Sequence, residues 1–201
     1  MMRILLATMN EGKLREYERL LADVPGLELE TMASLPKPVN VVEDRDTFMG
    51  NAFKKATEIA AASRMACLAD DSGLEVDALG GRPGVYSARY AGEGATDAEN
   101  NAKLLGELLG TDARDRTARF QCVIALVDAD GRRLAAAEGA CEGRIGATPR
   151  GAQGFGYDPL FIPDGYEQTM AELGPETKNE ISHRAKAAAK LVPLLQQLRN
   201  R

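Results

Sequence analysis

The chain has 201 residues, of which 44% are hydrophobic, 27% charged and 5% aromatic, with no Trp. That length predicts a single domain over residues 1–201 with a core of Leu, Ala, Val and Ile, built as one body or as two lobes sharing one core. A formal charge of -5, from 25 Lys and Arg against 30 Asp and Glu, argues against a surface devoted to nucleic-acid phosphates but leaves room for a local basic pocket that holds a small anion.

The apolar stretch at the N-terminus is too short for a signal-peptide core and no later run approaches a membrane span, so a cytoplasmic protein is expected. Residues 4–7 have strand length, and Leu14, Tyr17, Leu20 and Leu21 recur at helical spacing, so the chain opens strand, polar loop (residues 8–13), helix. Pro25 and Gly26 end that helix, and residues 27–32 predict a second strand. Thr47 is placed to cap a helix on which Phe48, Ala52, Lys55, Ala56 and Ile59 share one side. Lys55 then falls near the buried edge, where a merely solubilising lysine is less expected. Residues 67–69 read as a buried strand that delivers Asp70, Asp71, Ser72 and Gly73 at its end, ahead of an irregular stretch at 80–84.

Thr96 and Glu99 have capping-box spacing before Leu104, Leu105 and Leu108, which marks a scaffold helix. Over residues 118–127 both alternating sets are largely apolar, as in a central strand covered on both faces; residues 133–142 would be its antiparallel partner across a turn. Glycines at 143, 146, 151, 154 and 156 predict a long loop region, and Ser182 can cap a last helix with Ala185, Ala188, Leu191, Leu195 and Leu198 facing the body. Cys67, Cys122 and Cys141 lie far apart without CxxC spacing and read as reduced, buried thiols.

Four places gather groups that can do chemistry. The loop at 8–13 combines Thr8, Asn10, Gly12 and Lys13 between strand and helix, where backbone N–H groups and the helix dipole favour phosphate. It is not a Walker A loop, and an ordinary turn with Asn10 as helix cap fits the same residues. Asp70 and Asp71 are adjacent, so on a strand they point to opposite sides and only one need face a given ligand. Two acids so close call for a cation, a proton or hydrogen bonds, which makes magnesium a natural occupant, with Glu43 and Asp44 as further oxygen donors. Phe155, Gly156, Tyr157, Asp158 and Pro159 offer an aromatic face for stacking and a carboxylate acceptor, while a tight turn with core aromatics is the plainer alternative. His183, the only His, and Arg184 open a helix at its positive end, and an Arg there can present a planar pair of donors to a base carbonyl.

Taken together, six ordered blocks resemble the noncanonical purine nucleoside triphosphate pyrophosphatases, the inosine and xanthosine triphosphatase family. They are Ala7-Thr8-x-Asn10-x-x-Lys13; Thr47-Phe48-x-x-Asn51-Ala52-x-x-Lys55-Ala56; Ala69-Asp70-Asp71-Ser72-Gly73-Leu74; Leu79-Gly80-Gly81-x-Pro83-Gly84-Val85-Tyr86-Ser87-Ala88-Arg89-Tyr90; Gly154-Phe155-Gly156-Tyr157-Asp158-Pro159; and Lys178-x-x-Ile181-Ser182-His183-Arg184. The resemblance implies an α/β fold of two lobes around a long central mixed sheet with flanking helices, a nucleotide cleft between the lobes, and a homodimer. It implies Mg2+-dependent hydrolysis of ITP, dITP and XTP to the monophosphate and pyrophosphate, while the charge of -5 and the lack of a membrane-length apolar run lead to the expectation of no nucleic-acid or membrane partner. The resemblance also implies roles: Thr8, Asn10, Lys13 and Lys55 for phosphate, Asp71 as the catalytic carboxylate that binds magnesium and activates water, with Glu43 as a second metal ligand, Ser72 touching substrate, and Phe155, Gly156, Tyr157, Asp158, Lys178, His183 and Arg184 for the base. Many members carry Glu where this chain has Gly50. A related septum-inhibitor type of nucleotide pyrophosphatase and a non-catalytic nucleotide sensor are the competing readings.

Overall fold

The computed structural model describes residues 2–37 and 39–199. The fold is α/β: six strands form one mixed sheet, with five α-helices among the described residues. The strands are β1 (Met2–Leu6), β2 (Leu27–Thr31), β3 (Cys67–Val76), β4 (Thr117–Val127), β5 (Arg133–Ile145) and β6 (Phe161–Pro163), and their order across the sheet is β2-β1-β3-β4-β5-β6. The helices are α1 (Glu11–Leu20), α2 (Phe48–Ser63), α3 (Asp97–Glu107), α4 (Met170–Ile181) and α5 (His183–Arg199). β1 runs parallel to β2, with Met2 opposite Leu27, and parallel to β3, with Leu6 opposite Leu68. β5 and β6 are antiparallel, with Ile145 opposite Phe161. Ile4, Leu5 and Leu6 are all buried, the continuous apolar run of a parallel strand covered on both faces.

The chain divides into two compact units. The first comprises the described residues up to Asp71, residues 122–139 and those from Arg184 onward; the second comprises residues 72–121 and 140–183. The backbone passes from one unit to the other within β3, β4 and β5 and between His183 and Arg184. Each unit has its own core. In the first, Ile4, Leu6, Tyr17, Leu68, Ile124 and Leu191 pack together; in the second, Leu74, Leu104, Leu108, Phe120, Phe161 and Met170 do. All three cysteines are free and buried.

Three elements differ from expectation. β3 does not stop before the acidic pair but runs through it to Val76, so Asp70 and Asp71 lie inside a strand. The glycine-rich region is not all loop: β5 continues to Ile145 and pairs with β6, an approach that requires Gly143, where a Cβ would lie 2.3 Å from the Ile162 carbonyl oxygen. Residues 170–181 form a helix that Gly174 and Pro175 disguise in the sequence. Gly174 takes the non-helical φ 81° and ψ 171°, so the span is two short helical segments joined by a kink there, with Thr169 and Glu172 closing a capping box at its start. No described helix is long and apolar enough to cross a membrane.

Candidate active site

In the first unit, α1 begins directly after β1, and Asn10 caps it: its Oδ1 accepts from the Gly12 and Lys13 amides at 2.7 and 3.2 Å. Of the residues 8–13 expected as a loop, Glu11, Gly12 and Lys13 are the helix's first turn, and two of the amides that could have faced an anion are held by Asn10. Thr8, buried at the end of β1, accepts from the Asn10 amide at 3.0 Å. These contacts leave the Lys13 side chain as the cation of this segment, and it forms an ion pair with Asp70.

Strand alternation sends the two acids of β3 into different company. Asp70, 2% exposed, is held by Lys13 and by Nε of Arg184 at 3.2 Å. Burial opposes its ionisation, but Lys13, Arg184 and Lys55 together outweigh burial and hold the carboxyl far below the usual range. Asp71, 7% exposed, accepts from Nδ2 of Asn51 at 3.0 Å. Burial and then the neighbouring Glu43 carboxylate push it up to about 6 from an ordinary 3.8, against the pull of Asn51 and Lys55.

α2 supplies the next layer. Thr47 caps it by accepting from the Gly50 amide at 3.0 Å. One turn of this helix separates Asn51, fully buried beneath Asp71, from Lys55, which is ion-paired with Glu43. Burial works against the Lys55 charge, yet Asp70 and Glu43 raise its pKa above the ordinary value. Of the two candidate acids before this helix, Glu43 is the one whose charge reaches Asp71, whereas Asp44 is half-exposed and paired with Lys54 at 2.8 Å. Asn51 carried no assigned role in the sequence; the signal was its position four residues before Lys55. At Gly50 a Cβ would meet that of Arg45 at 2.9 Å, so the small residue matches this chain's packing.

Arg184 stands with the acids of this unit. Besides Asp70, its Nη1 reaches both oxygens of Glu16 at 3.3 Å. Its buried guanidinium is a counter-ion to Asp70, a duty the sequence did not suggest. Lys13, Lys55 and Arg184 thus stand among Glu16, Glu43, Asp70 and Asp71, one carboxylate in excess.

The second unit holds Phe155, Gly156, Tyr157, Asp158 and Lys178. Asp158 is buried and accepts from the Phe155 amide at 3.0 Å and from the ammonium of Lys178. That ammonium also sits 4.5 Å from the centre of the exposed Phe155 ring. Tyr157 is buried and donates to the Ser87 carbonyl at 2.8 Å. His183 is buried, its ring stacked on Phe120 at 4.9 Å and 15°. Ser182, extended at ψ 157°, separates α4 from α5, and Ser72 lies half-buried in β3. Gly154 makes the turn possible: φ is +82° and a Cβ would fall 2.0 Å from Oδ2 of Asp158. Gly154→Ala is expected to lower stability by about 2 kcal/mol in urea unfolding, from left-handed strain plus displacement of a buried carboxylate. A loss within experimental error would mean that Asp158 moves freely.

Residues 4–194 match the Ham1 family. The chain belongs to that family. Among its relatives, a dITP/XTP pyrophosphatase of Desulforamulus reducens is 51% identical over 197 residues, covering 98% of this chain and 97% of that one. A dITP/XTP pyrophosphatase of Shouchella clausii is 50% identical over 191 residues, 95% of each chain. The solved structure of a Ham1 protein from Coxiella burnetii superposes with a TM-score of 0.88 at 42% identity, covering 98% of this chain and 100% of that one. The mixed sheet with flanking helices is thus the Ham1 fold.

Proposed function

We propose that this Ham1-family protein is a nucleoside triphosphate pyrophosphatase that clears dITP, ITP and XTP from the nucleotide pool. It works as one functional domain and as a homodimer. The triphosphate engages Thr8, Asn10, Lys13, Lys55 and Ser72, and the base engages Phe155, Gly156, Tyr157, Asp158, Lys178, His183 and Arg184. The observation that carries the reading is the divergence of two neighbouring acids. Asp70 is locked as a carboxylate by Lys13 and Arg184, whereas Asp71 accepts from the Asn51 amide and feels the Glu43 carboxylate, the setting of a base or cation ligand and not of a counter-ion.

The donor chemistry around Asp71 fits a divalent cation. Glu43 and Asp71 are hard oxygen donors close enough for one to raise the other's pKa. Among the described residues no three His, Cys, Asp or Glu side chains gather into a metal site. Magnesium suits such a pair, because it takes one or two carboxylates and completes its shell with water and substrate phosphate. When bound it supplies neutralisation of phosphate charge and turns the local excess of one carboxylate into a net attraction for a polyanion. Asp71 accepts a proton from the attacking water as its oxygen bonds to the α-phosphorus and the bond to the bridging oxygen breaks, releasing pyrophosphate and the monophosphate. Lys13 and Lys55 carry the charge that develops on the leaving phosphates. Asn51 holds the Asp71 carboxylate by its Oδ2.

Base choice follows donor and acceptor pattern. A 6-carbonyl presents an acceptor to the Lys178 ammonium and the Arg184 guanidinium, whereas the 6-amino group of adenine presents a donor to groups that can only donate. The test is incubation with ITP, XTP and ATP, with magnesium or with chelator, followed by chromatography of products. Monophosphate and pyrophosphate from ITP and XTP, lost in chelator, is the expected result. Release of orthophosphate, or binding without turnover, would overturn the reading.

A further inference from the structure

We propose that Asp97 and Asn101 of α3 are positioning residues for the base-reading segment. By holding both backbone polar groups of Gly156 they set where Phe155 and Asp158 stand, and so which base is accepted. The inference rests on the assignment of that segment to the base.

Asp97 Oδ2 accepts from the Gly156 amide at 2.7 Å, and Asn101 Nδ2 donates to the Gly156 carbonyl at 2.8 Å. The two residues are four apart, hence neighbours on one helix face, spaced to grip a single residue from both sides. The helix is itself firmly fixed. Thr96 and Glu99 close a capping box, and Leu104 and Leu108 are buried in the core. Asn100 accepts from the Ala91 amide at 2.7 Å and donates to the Ala88 carbonyl at 3.2 Å. The rigid element therefore imposes its geometry on the loop.

Within the turn the Phe155 amide donates to Asp158 and the Asp158 amide donates to the Phe155 carbonyl at 3.2 Å; the two bonds to Gly156 tie that turn to α3. Phe155 is 60% exposed, and the segment borders an open cavity of about 450 Å³ also lined by Leu105, Pro149 and Gln153. Gly156 has φ +61° with open space where a Cβ would lie, so the bonds from Asp97 and Asn101, and not close packing at that position, hold it to α3. On its far side Tyr157 is anchored through Ser87. The grip on Gly156 therefore sets where the turn carrying Phe155 and Asp158 stands against α3.

Asn101 also bears a cost that a purely stabilising residue would avoid. It is 7% exposed, and its Oδ1 is buried with no hydrogen-bond partner among the described residues. Burying an unsatisfied amide oxygen works against stability, so its single bond to Gly156 is better explained by positioning.

The experiment compares Asp97→Ala, Asp97→Asn and Asn101→Ala by kcat and KM for ITP and ATP, together with hydrogen exchange of residues 153–158. Asp97→Asn keeps an oxygen acceptor for the Gly156 amide. Asp97→Ala and Asn101→Ala should exchange faster at the loop, raise KM for ITP more than they lower kcat, and shrink the ITP-to-ATP ratio of kcat/KM by about tenfold, the scale of a small misplacement at a recognition site. Asp97→Asn should restore both readouts. An unchanged exchange rate or an unchanged ratio in Asp97→Ala overturns the proposal, as does an Asn variant that behaves like Ala. If the unmodified enzyme released no pyrophosphate from ITP, the proposed function would fall, and loop exchange alone would decide whether the grip exists.

Discussion

Asp71→Asn is expected to abolish pyrophosphate release and, in chelator, to make the protein more stable at pH 8. The amide is isosteric and can still accept from Asn51, but it can neither take a proton from water nor share a cation with Glu43. The stability gain follows from the sign of the shift. The folded protein binds the Asp71 proton more tightly than the unfolded chain, with a pKa of about 6 against 3.8. Its contribution to stability is therefore complete below about 4 and is lost as pH rises through 6, costing up to about 3 kcal/mol at pH 8. Urea unfolding of both proteins should show the variant ahead at pH 8 and the gap closing toward pH 4. Chelator is needed because a bound cation would stabilise the carboxylate and hide the cost. Near-normal turnover in magnesium would remove Asp71 as base, and a variant less stable at pH 8 would contradict the strain assigned to its charge.

Arg184→Ala is expected to destabilise the fold by about 3 kcal/mol, the scale for stripping one partner from a buried ion pair. The guanidinium is 3% exposed and its loss leaves Asp70, 2% exposed, to Lys13 and the more distant Lys55. Arg184→Lys should recover only part of the loss, since one ammonium cannot serve Asp70 and Glu16 with the same planar geometry. A loss under 1 kcal/mol for the alanine variant would mean that Lys13 alone sustains the buried carboxylate. The same variant tests base recognition: a reduced ITP-to-ATP ratio of kcat/KM is expected, and an unchanged ratio would leave Arg184 as a counter-ion only.

Much of the scaffold was legible because local rules act on neighbouring residues. Thr47 and the Thr96–Glu99 pair mark helix starts that form where capping chemistry requires them. The doubly apolar run at 118–127 is an interior strand. The limits were equally physical. β6 is three residues long and exists only because Gly143 lets β5 approach it. α4 hides behind Gly174 and Pro175, which interrupt it with a kink between two short helical segments.

For the candidate site, sequence by itself determined the parts: the order of motifs that places the chain among Ham1 relatives, the acidic pair, the lysines, the aromatic turn and the opposed directions of Asp70 and Asp71. Only tertiary structure decided their partners. It put Glu43 rather than Asp44 beside Asp71, set Arg184 against Asp70 across 114 positions of chain, and brought Asp97 and Asn101 to Gly156. The reason is that a side chain's direction follows from local backbone geometry, whereas its pKa, its counter-ion and its freedom to move depend on which distant segments share its burial.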